Sequence, residues 1–394
     1  MNRVIIAGGG IAGLAASLAF DRAGWEVTVL ERAPQLGEVG AGIQLSPNAC
    51  KVLDWLGILP AIREHAFTPA TADLRDGLSG ETLLSVPLGP AAEARWHAPY
   101  LHIHRADLLS VLAKAVERRR IDLRLGIEAV RAVDQPDAVS VHLSDGSLLA
   151  ADLAIGADGI RSALRAAINP DEAPRFTGQT AWRALIPAAA LPGGTIPRTA
   201  TVWAGAGRHL VTYYLRGGDL INLVAVLERA AWTEESWSAP GDVDALRKAF
   251  DGWHPAVSAL LAAVDTCFLW GLFDRPEQVR WTSGHTALIG DAAHPMLPFM
   301  AQGAGMALED VPVLVNAVGS GSDIPAALEA FERRRWPRVT RVLQRARANG
   351  RLFHHPPGMA QWLARTPIRL AGQIAPGLAA GQLDWLYGFD ATQG

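Results

Sequence analysis

The chain has 394 residues, 49% of them hydrophobic and 19% charged, with 36 Lys+Arg against 39 Asp+Glu and a formal net charge of −3. At about 100 to 200 residues per domain this length suggests two or three folding units, and the near-neutral balance gives no global field to hold a polyanion, so nucleic acid is not an expected partner. Low charge with high apolar content argues against disorder, and the two distant cysteines, Cys50 and Cys267, argue against a disulfide scaffold or a multi-cysteine metal site, so a reducing compartment such as the cytoplasm is expected and no metal.

Met1-Asn2-Arg3 precedes seventeen uncharged residues, Val4 to Phe20, which superficially resemble a signal peptide. A membrane span needs about 20 predominantly apolar residues. This stretch is shorter, carries four glycines and runs into Asp21-Arg22 where a cleavage site needs small residues, so the expectation is a soluble chain with no stable membrane association. Val4 to Ala7 reads instead as a buried parallel strand, the glycine turn that follows opens a helix to about Ala23, and Glu26 to Leu30 forms a second strand ending at Glu31.

Further on, a Gly-rich stretch from Gly37 to Gly42 leads to a helix from about Ser46 to Leu56, and a hairpin is expected around Asp76-Gly77 and Ser79-Gly80. A helix from Arg105 to Arg119 precedes strands near 121 to 126, 139 to 143 and 152 to 156. From Thr180 to Leu227 strands follow one another without intervening helices, which cannot continue a doubly wound sheet and reads as a separate antiparallel sheet. Helices return around 243 to 264, a strand from His285 to Ile289 leads into Gly290-Asp291, and the chain from Gly303 onward is predominantly helical. Arg333 to Arg351 holds eight arginines; the simplest reading is a solvated helix face or subunit contact, with Pro337 kinking or ending the helix. The thirteen tryptophans are scattered and read as core or interface residues.

Gly8-x-Gly10-x-x-Gly13 sits after a strand and opens a helix, where a dinucleotide fingerprint belongs. The first glycine permits the turn, the second lets a pyrophosphate approach the backbone, and the third allows close helix-strand packing. Glu31, with Arg32 beside it, is placed to accept hydrogen bonds from an adenosine ribose. Ala287 to Pro295 is another strand ending in a tight turn with an acid, Asp291, at its carboxyl edge, where ligands bind on open α/β sheets. Pro295 and Pro298 stiffen the loop beyond it, and Ala301 to Met306 opens a helix whose first amides favour negative charge placed beside them.

Together with Ala154-Ile155-Gly156-Ala157-Asp158-Gly159, these motifs closely resemble the single-component FAD-dependent aromatic monooxygenases, the group that includes salicylate and 3-hydroxybenzoate hydroxylases, over nearly the whole chain. The resemblance implies FAD as cofactor, NADH or NADPH as co-substrate without a separate nicotinamide domain, and oxygen adding at flavin C4a so that a hydroperoxide delivers one atom to a small aromatic substrate. It implies that Asp291 holds the ribityl chain, that Asp158 serves both FAD and nicotinamide, that Arg105 contacts the flavin, and that the loop Gly40 to Gln44 passes the isoalloxazine. His209 matches a histidine near the substrate that helps deprotonate a phenol, while the bare sequence equally allows a partly exposed strand histidine. His294 reads as structural.

The expected cofactor contacts are therefore Gly8, Gly10, Ala12, Gly13, Glu31, Arg32, Gly42, Gln44, Arg105, Asp158, Asp291, Gly303, Ala304 and Gly305, and the expected residues at the reacting centre are His209, Tyr213, Gln302 and Pro295. The expected fold is α/β: a discontinuous Rossmann-like FAD-binding domain (1–70, 100–175 and 280–325), an inserted antiparallel-sheet substrate domain (71–99 and 176–279) and a C-terminal helical region (326–394), as monomer or homodimer. Two alternatives stay open: a flavin hydride-transfer enzyme without oxygen insertion, and a non-catalytic FAD-binding protein that holds an aromatic ligand.

Overall fold

The computed structural model describes the chain except residues 38–40, 171–173, 233–238, 276–278, 320–322, 355–375 and 394. Gly40 and part of the expected C-terminal helical region lie outside the described residues. No helix among the described residues is long and apolar enough to cross a membrane. The uncharged N-terminal stretch becomes the strand Arg3–Ala7 and the helix Ile11–Arg22, nearly all of it buried.

Arg3–Ala7 is a central strand of a six-stranded sheet, hydrogen-bonded in parallel to Glu26–Glu31 on one side and to Leu153–Gly156 on the other. Thr286–Leu288 pairs in parallel with Leu153–Gly156, and Asp122–Leu125 with Glu26–Glu31. Because the registers align Ala7 with Gly156 and Gly156 with Leu288, three turns far apart in sequence leave the sheet at one edge. Helix Ile11–Arg22 and the helices Arg105–Glu117 and Gly303–Val318 belong to the apolar core cluster on this sheet. A three-stranded meander of Ala129–Asp134, Val139–Leu143 and Leu148–Ala151 stands apart from it; only its middle strand was anticipated from the sequence.

The second sheet has eight strands in the order Pro240–Gly241, Cys267–Asp274, Arg175–Pro187, Leu220–Glu228, Arg208–Leu215, Ala200–Gly205, Thr71–Asp76 and Thr82–Pro87. All its pairings are antiparallel except that of Ala200–Gly205 with Thr71–Asp76, strands whose long connection permits a parallel junction. Alternation divides its residues between two faces. On one face Trp182, Trp203, Leu210, Leu223 and Ala225 pack with Leu246, Phe250, Trp253 and Leu260 from the helical segment 243–264. The other face looks into a cavity.

The arginine-rich segment is a single helix, Ile324–Phe353, that runs through Pro337. Pro337 lies on the exposed side of the helix, where the carbonyl it leaves without a helical partner can be hydrated. The expectation of a solvated helix face or subunit contact is corrected at Arg335. Phe331, Arg335, Val339, Val342 and Ala346 recur at helical spacing and form the buried stripe, so Arg335 is fully buried while Arg333 is exposed. Arg335 donates Nη1 to Glu309 at 2.7 Å and Nε to Asp310 at 2.8 Å, both acids being fully buried in helix Gly303–Val318. Arg338 adds two hydrogen bonds to Glu309, at 2.6 and 2.7 Å.

Removing a partner from a buried ion pair leaves an uncompensated charge, at a cost of about 3–5 kcal/mol. Arg335→Met is therefore expected to destabilise the folded protein by about that amount. Chemical denaturation followed by circular dichroism measures it, and a loss below about 1 kcal/mol, the range of an exposed pair, contradicts the assignment.

Candidate active site

The converging strand ends open on a cavity of about 870 Å³, near the top of the usual range for ligand pockets. The glycines of the first turn do different jobs. A Cβ on Gly8 would strike the Ala157 carbonyl and one on Gly13 would strike the Gly8 carbonyl, so these two close the turn against its neighbours. Gly8 also adopts a φ of +108°. Gly10, by contrast, has no atom within 4 Å of such a Cβ and lines the cavity with Ile11 and Ala12. That is an open cradle at a helix N-terminus, the form a pyrophosphate needs. Glu31 accepts from Gly9 N at 2.7 Å and from Ala33 N at 2.8 Å, which fixes the carboxylate beside the turn and leaves each oxygen a second lone pair for a ribose hydroxyl.

Asp158 accepts from Ala163 N at 2.8 Å through Oδ2, while its buried Oδ1 has no partner. Its neighbours Ala157, Gly159, Ile160 and Arg161 line the cavity. Burial pushes the Asp158 carboxyl above its usual range, against the pull of hydrogen bonds from Ser162 and the backbone. Asp291 lines the cavity from the third turn. Its surroundings push its carboxyl up, and the charges of Arg105 and His294 pull it down. Arg105 lines the same wall, its backbone N–H donating to Ala41 at 2.9 Å. Gly303, Ala304 and Ala307 continue the lining along the N-terminal turns of helix Gly303–Val318. Open glycine backbone, an orphaned acid oxygen and an Asp–Arg wall fit a dinucleotide with a polar linker.

Gly42 and Gln44 line the cavity from the strand Gly42–Leu45, with Gln44 Oε1 accepting from Tyr100 Oη at 2.6 Å. The second sheet touches this strand: Asn222 accepts from Gly42 N at 2.8 Å, and Tyr213 packs so closely that a Cβ on Gly42 would collide with its ring. The roof above is one face of that sheet. Register places Val202, Val211, Val224 and Arg183 in one cross-strand row and Ala204, His209, Val226 and Ala181 in the next. Arg183 stacks over Trp270 at 4.1 Å. His209 is fully buried, between Phe299 and Phe353 with ring centroids at 5.1 and 5.2 Å. Burial, then the neighbouring His354, hold it well below the ordinary histidine range. Pro295 lines the cavity from the loop before helix Gly303–Val318.

Gly8, Gly13, Glu31 and Asp158 stand behind the lining, and three further expected contacts lie away from it. Gln302 is buried beneath the lining, its amide donating to Ser46 Oγ at 2.9 Å and accepting from Asn48 at 3.1 Å, because it precedes the helix on the side facing residues 46–48. Gly305 is buried at this network, where a Cβ would meet the Gln302 amide at 2.8 Å. Arg32 is an exposed side chain 4.0 Å from Glu128 and does not line the cavity. His294 Nε2 donates to the Asp310 carboxylate at 2.7 Å in a buried pair, the structural role the sequence suggested. Residues not anticipated are Asn222, Arg183 and His354; only Arg183 offered a signal, a charge inside the otherwise apolar run Ala181 to Pro187.

The sequence profile of a family described as FAD binding domain matches residues 1–346. Among curated proteins, the 3-amino-4-hydroxybenzoate 2-monooxygenase PtnB3 of Streptomyces platensis is 37% identical, covering 99% of this chain and 96% of its own. The 3-hydroxybenzoate 6-hydroxylase 1 of Aquipseudomonas alcaligenes is 36% identical, covering 100% and 99%. A solved salicylate hydroxylase substrate complex superposes with a TM-score of 0.83 at 27% identity, over 99% of this chain and 96% of that one. Klebsiella pneumoniae HpxO complexed with FAD and uric acid gives 0.82 at 27% identity, over 97% of each. The chain belongs to this FAD-binding family, in its branch of flavoprotein aromatic monooxygenases, and FAD is its cofactor.

Gly42→Ala is expected to push Tyr213 off the strand it rests on and to weaken aromatic-ligand binding by about tenfold, or ~1.4 kcal/mol. Flavin absorbance changes on titration with 3-hydroxybenzoate measure this; unchanged affinity contradicts the docking role of the contact.

Proposed function

We propose that the protein hydroxylates a small phenolic or heteroaromatic carboxylate with NAD(P)H and O2. Per turnover one NAD(P)H, one proton and one O2 enter, and NAD(P)+, water and the hydroxylated ring leave. Bound FAD supplies the chemistry of taking hydride from the nicotinamide and activating oxygen. The single observation that carries this reading is His209, a buried imidazole set in an aliphatic roof over the flavin-binding wall. The names of the relatives, which act on hydroxybenzoates and aminohydroxybenzoates, support the same substrate class.

The roles proposed for the chain's own residues follow from their chemistry. Val202, Val211, Val224 and Leu74 hold the ring flat and exclude water. Arg183 is the cation that the roof strands contribute to the cavity among the described residues, and it receives the substrate carboxylate. His209 takes the proton of the ring hydroxyl, since a phenolate carbon is the better nucleophile toward electrophilic oxygen. Tyr213 positions the ring from the strand that carries His209, four residues away on the same face. Asp291, Arg105, Gly10 and the start of helix Gly303–Val318 hold the cofactor.

Turnover of 3-hydroxybenzoate, 3-amino-4-hydroxybenzoate, salicylate and 6-hydroxynicotinate tests the proposal. At least one is expected to accelerate NADH or NADPH oxidation and to yield a hydroxylated product; if none does either, the proposal fails. His209→Ala is expected to lower kcat by about 100-fold. Because the imidazole is held well below its ordinary value of 6.5, it stays unprotonated as pH falls from 7 through 6.5, so the acid limb of kcat/KM should have its midpoint below 6.5. A midpoint above 7 assigns that limb to another group.

A further inference from the structure

His209 does not end at the cavity. Its Nδ1 lies 2.6 Å from Nε2 of His354, the residue that closes the long helix Ile324–Phe353. His354 Nδ1 in turn lies 2.8 Å from Oε1 of Glu228, at the end of strand Leu220–Glu228. The side chain of His354 is 2% exposed and that of Glu228 is 56% exposed, so three groups form a line from the buried roof to solvent. The backbone clamps the line in place, with Gly207 N donating to His354 at 3.2 Å and Glu228 N donating to Gly207 at 3.0 Å.

The chemistry of the end group sets the direction of every bond. An ionised carboxylate only accepts, so neutral His354 must carry its proton on Nδ1 and present a lone pair at Nε2. His209 must then carry its proton on Nδ1, which leaves Nε2 as the unprotonated nitrogen. Among the described residues Nε2 of His209 makes no hydrogen bond. A surface carboxylate thus presets a basic nitrogen at the buried end of the chain.

We propose that Glu228 and His354 form a proton relay that connects His209 to bulk water and carries away the proton of the substrate's ring hydroxyl. The relay rests on the reading of His209 as the group that takes that proton. As the hydroxyl proton moves to His209 Nε2, the Nδ1 proton passes to His354 Nε2, and the His354 Nδ1 proton passes to Glu228 and on to water. One proton leaves, the ring keeps the electron pair of its O–H bond, and both imidazoles end as the opposite neutral tautomers. A proton returning along the same line, to the product's phenolate oxygen, restores them.

The surroundings favour transmission over storage. Burial holds both imidazoles below the ordinary histidine range, with Glu228 only partly offsetting this at His354, so neither keeps an extra proton. Phe299 and Phe353 flank His209 with apolar rings. Of the nearby cations, Arg208 turns to the opposite face, where it donates to the Ala249 carbonyl, and Arg345 lines the cavity from the long helix. Glu228 and His354 are positioning residues in this scheme, since neither lines the cavity.

The test uses the FAD-loaded enzyme in weakly buffered solution with a pH indicator, and as probe whichever of 3-hydroxybenzoate, 3-amino-4-hydroxybenzoate and salicylate the wild type turns over fastest. Stopped-flow mixing then reads proton release on binding, apart from turnover. Glu228→Gln keeps an acceptor for His354 but no longer takes up a proton, and being exposed it should fold normally. We expect it and His354→Ala to slow proton release by about tenfold or more, with substrate Kd within about twofold of wild type and with imidazole restoring the rate to His354→Ala. Release at the wild-type rate in both variants, with His209→Ala slowed, overturns the relay and leaves the base intact. Unchanged release in His209→Ala overturns both.

Discussion

Two carboxylates sit side by side inside helix Gly303–Val318, and the site depends on how their charge is neutralised. Glu309 and Asp310 are fully buried, a placement that costs several kcal/mol per ion unless each is paired and hydrogen-bonded. Arg335 bonds to both, Arg338 covers Glu309, and His294 and the Gly290 amide complete Asp310. Burial alone pushes the Asp310 carboxyl up, yet the His294 and Arg335 charges and the hydrogen bonds from His294 and the Gly290 amide hold it below its usual range. One network therefore ties the long helix Ile324–Phe353 to the Gly290-Asp291 turn. Through Asn48, which donates to Glu309 at 2.7 Å, it also reaches the helix after the Gly42–Leu45 strand.

This anchoring explains how residues from distant segments stay aligned. The six-stranded sheet brings three turns to one edge, and the acid network fixes the third turn relative to the helix that follows it. The long helix, held at Arg335, delivers Phe353 and His354 to the roof at its far end, and a Cβ on Gly350 would meet the Phe299 ring at 2.8 Å. A helix far along the sequence from the first glycine turn thus helps close the cavity that the turn opens.

The Rossmann-like unit was legible because its signals are local: glycine spacing, an acid at a strand end, and apolar runs of fixed length. The roof sheet was legible as strands, and His209 with Tyr213 as one face of one of them. Which face met the cavity was not, because both faces are largely apolar, and alternation separates Trp203 from Val202 without saying which of them points inward. Gln302 illustrates the opposite error. A polar residue before a glycine-rich helix start looks like a ligand group, but its partners Ser46 and Asn48 lie more than 250 positions earlier, and no local pattern reports them. Arg335 was hidden among seven other arginines, and only the phase of the buried stripe distinguishes it. Glu228 and His354 carry no motif; their meeting follows from the hairpin at Gly207 clasping a helix end.

The central claim is that this cavity inserts an oxygen atom into an aromatic ring. Turnover under oxygen-18 gas, with NAD(P)H and an accepted hydroxybenzoate, tests it most directly by mass spectrometry of the product. The account predicts one labelled oxygen per product molecule and NAD(P)H consumption matching product. Reduced nicotinamide consumed with all the label in hydrogen peroxide, or a product whose new oxygen comes from water, contradicts it.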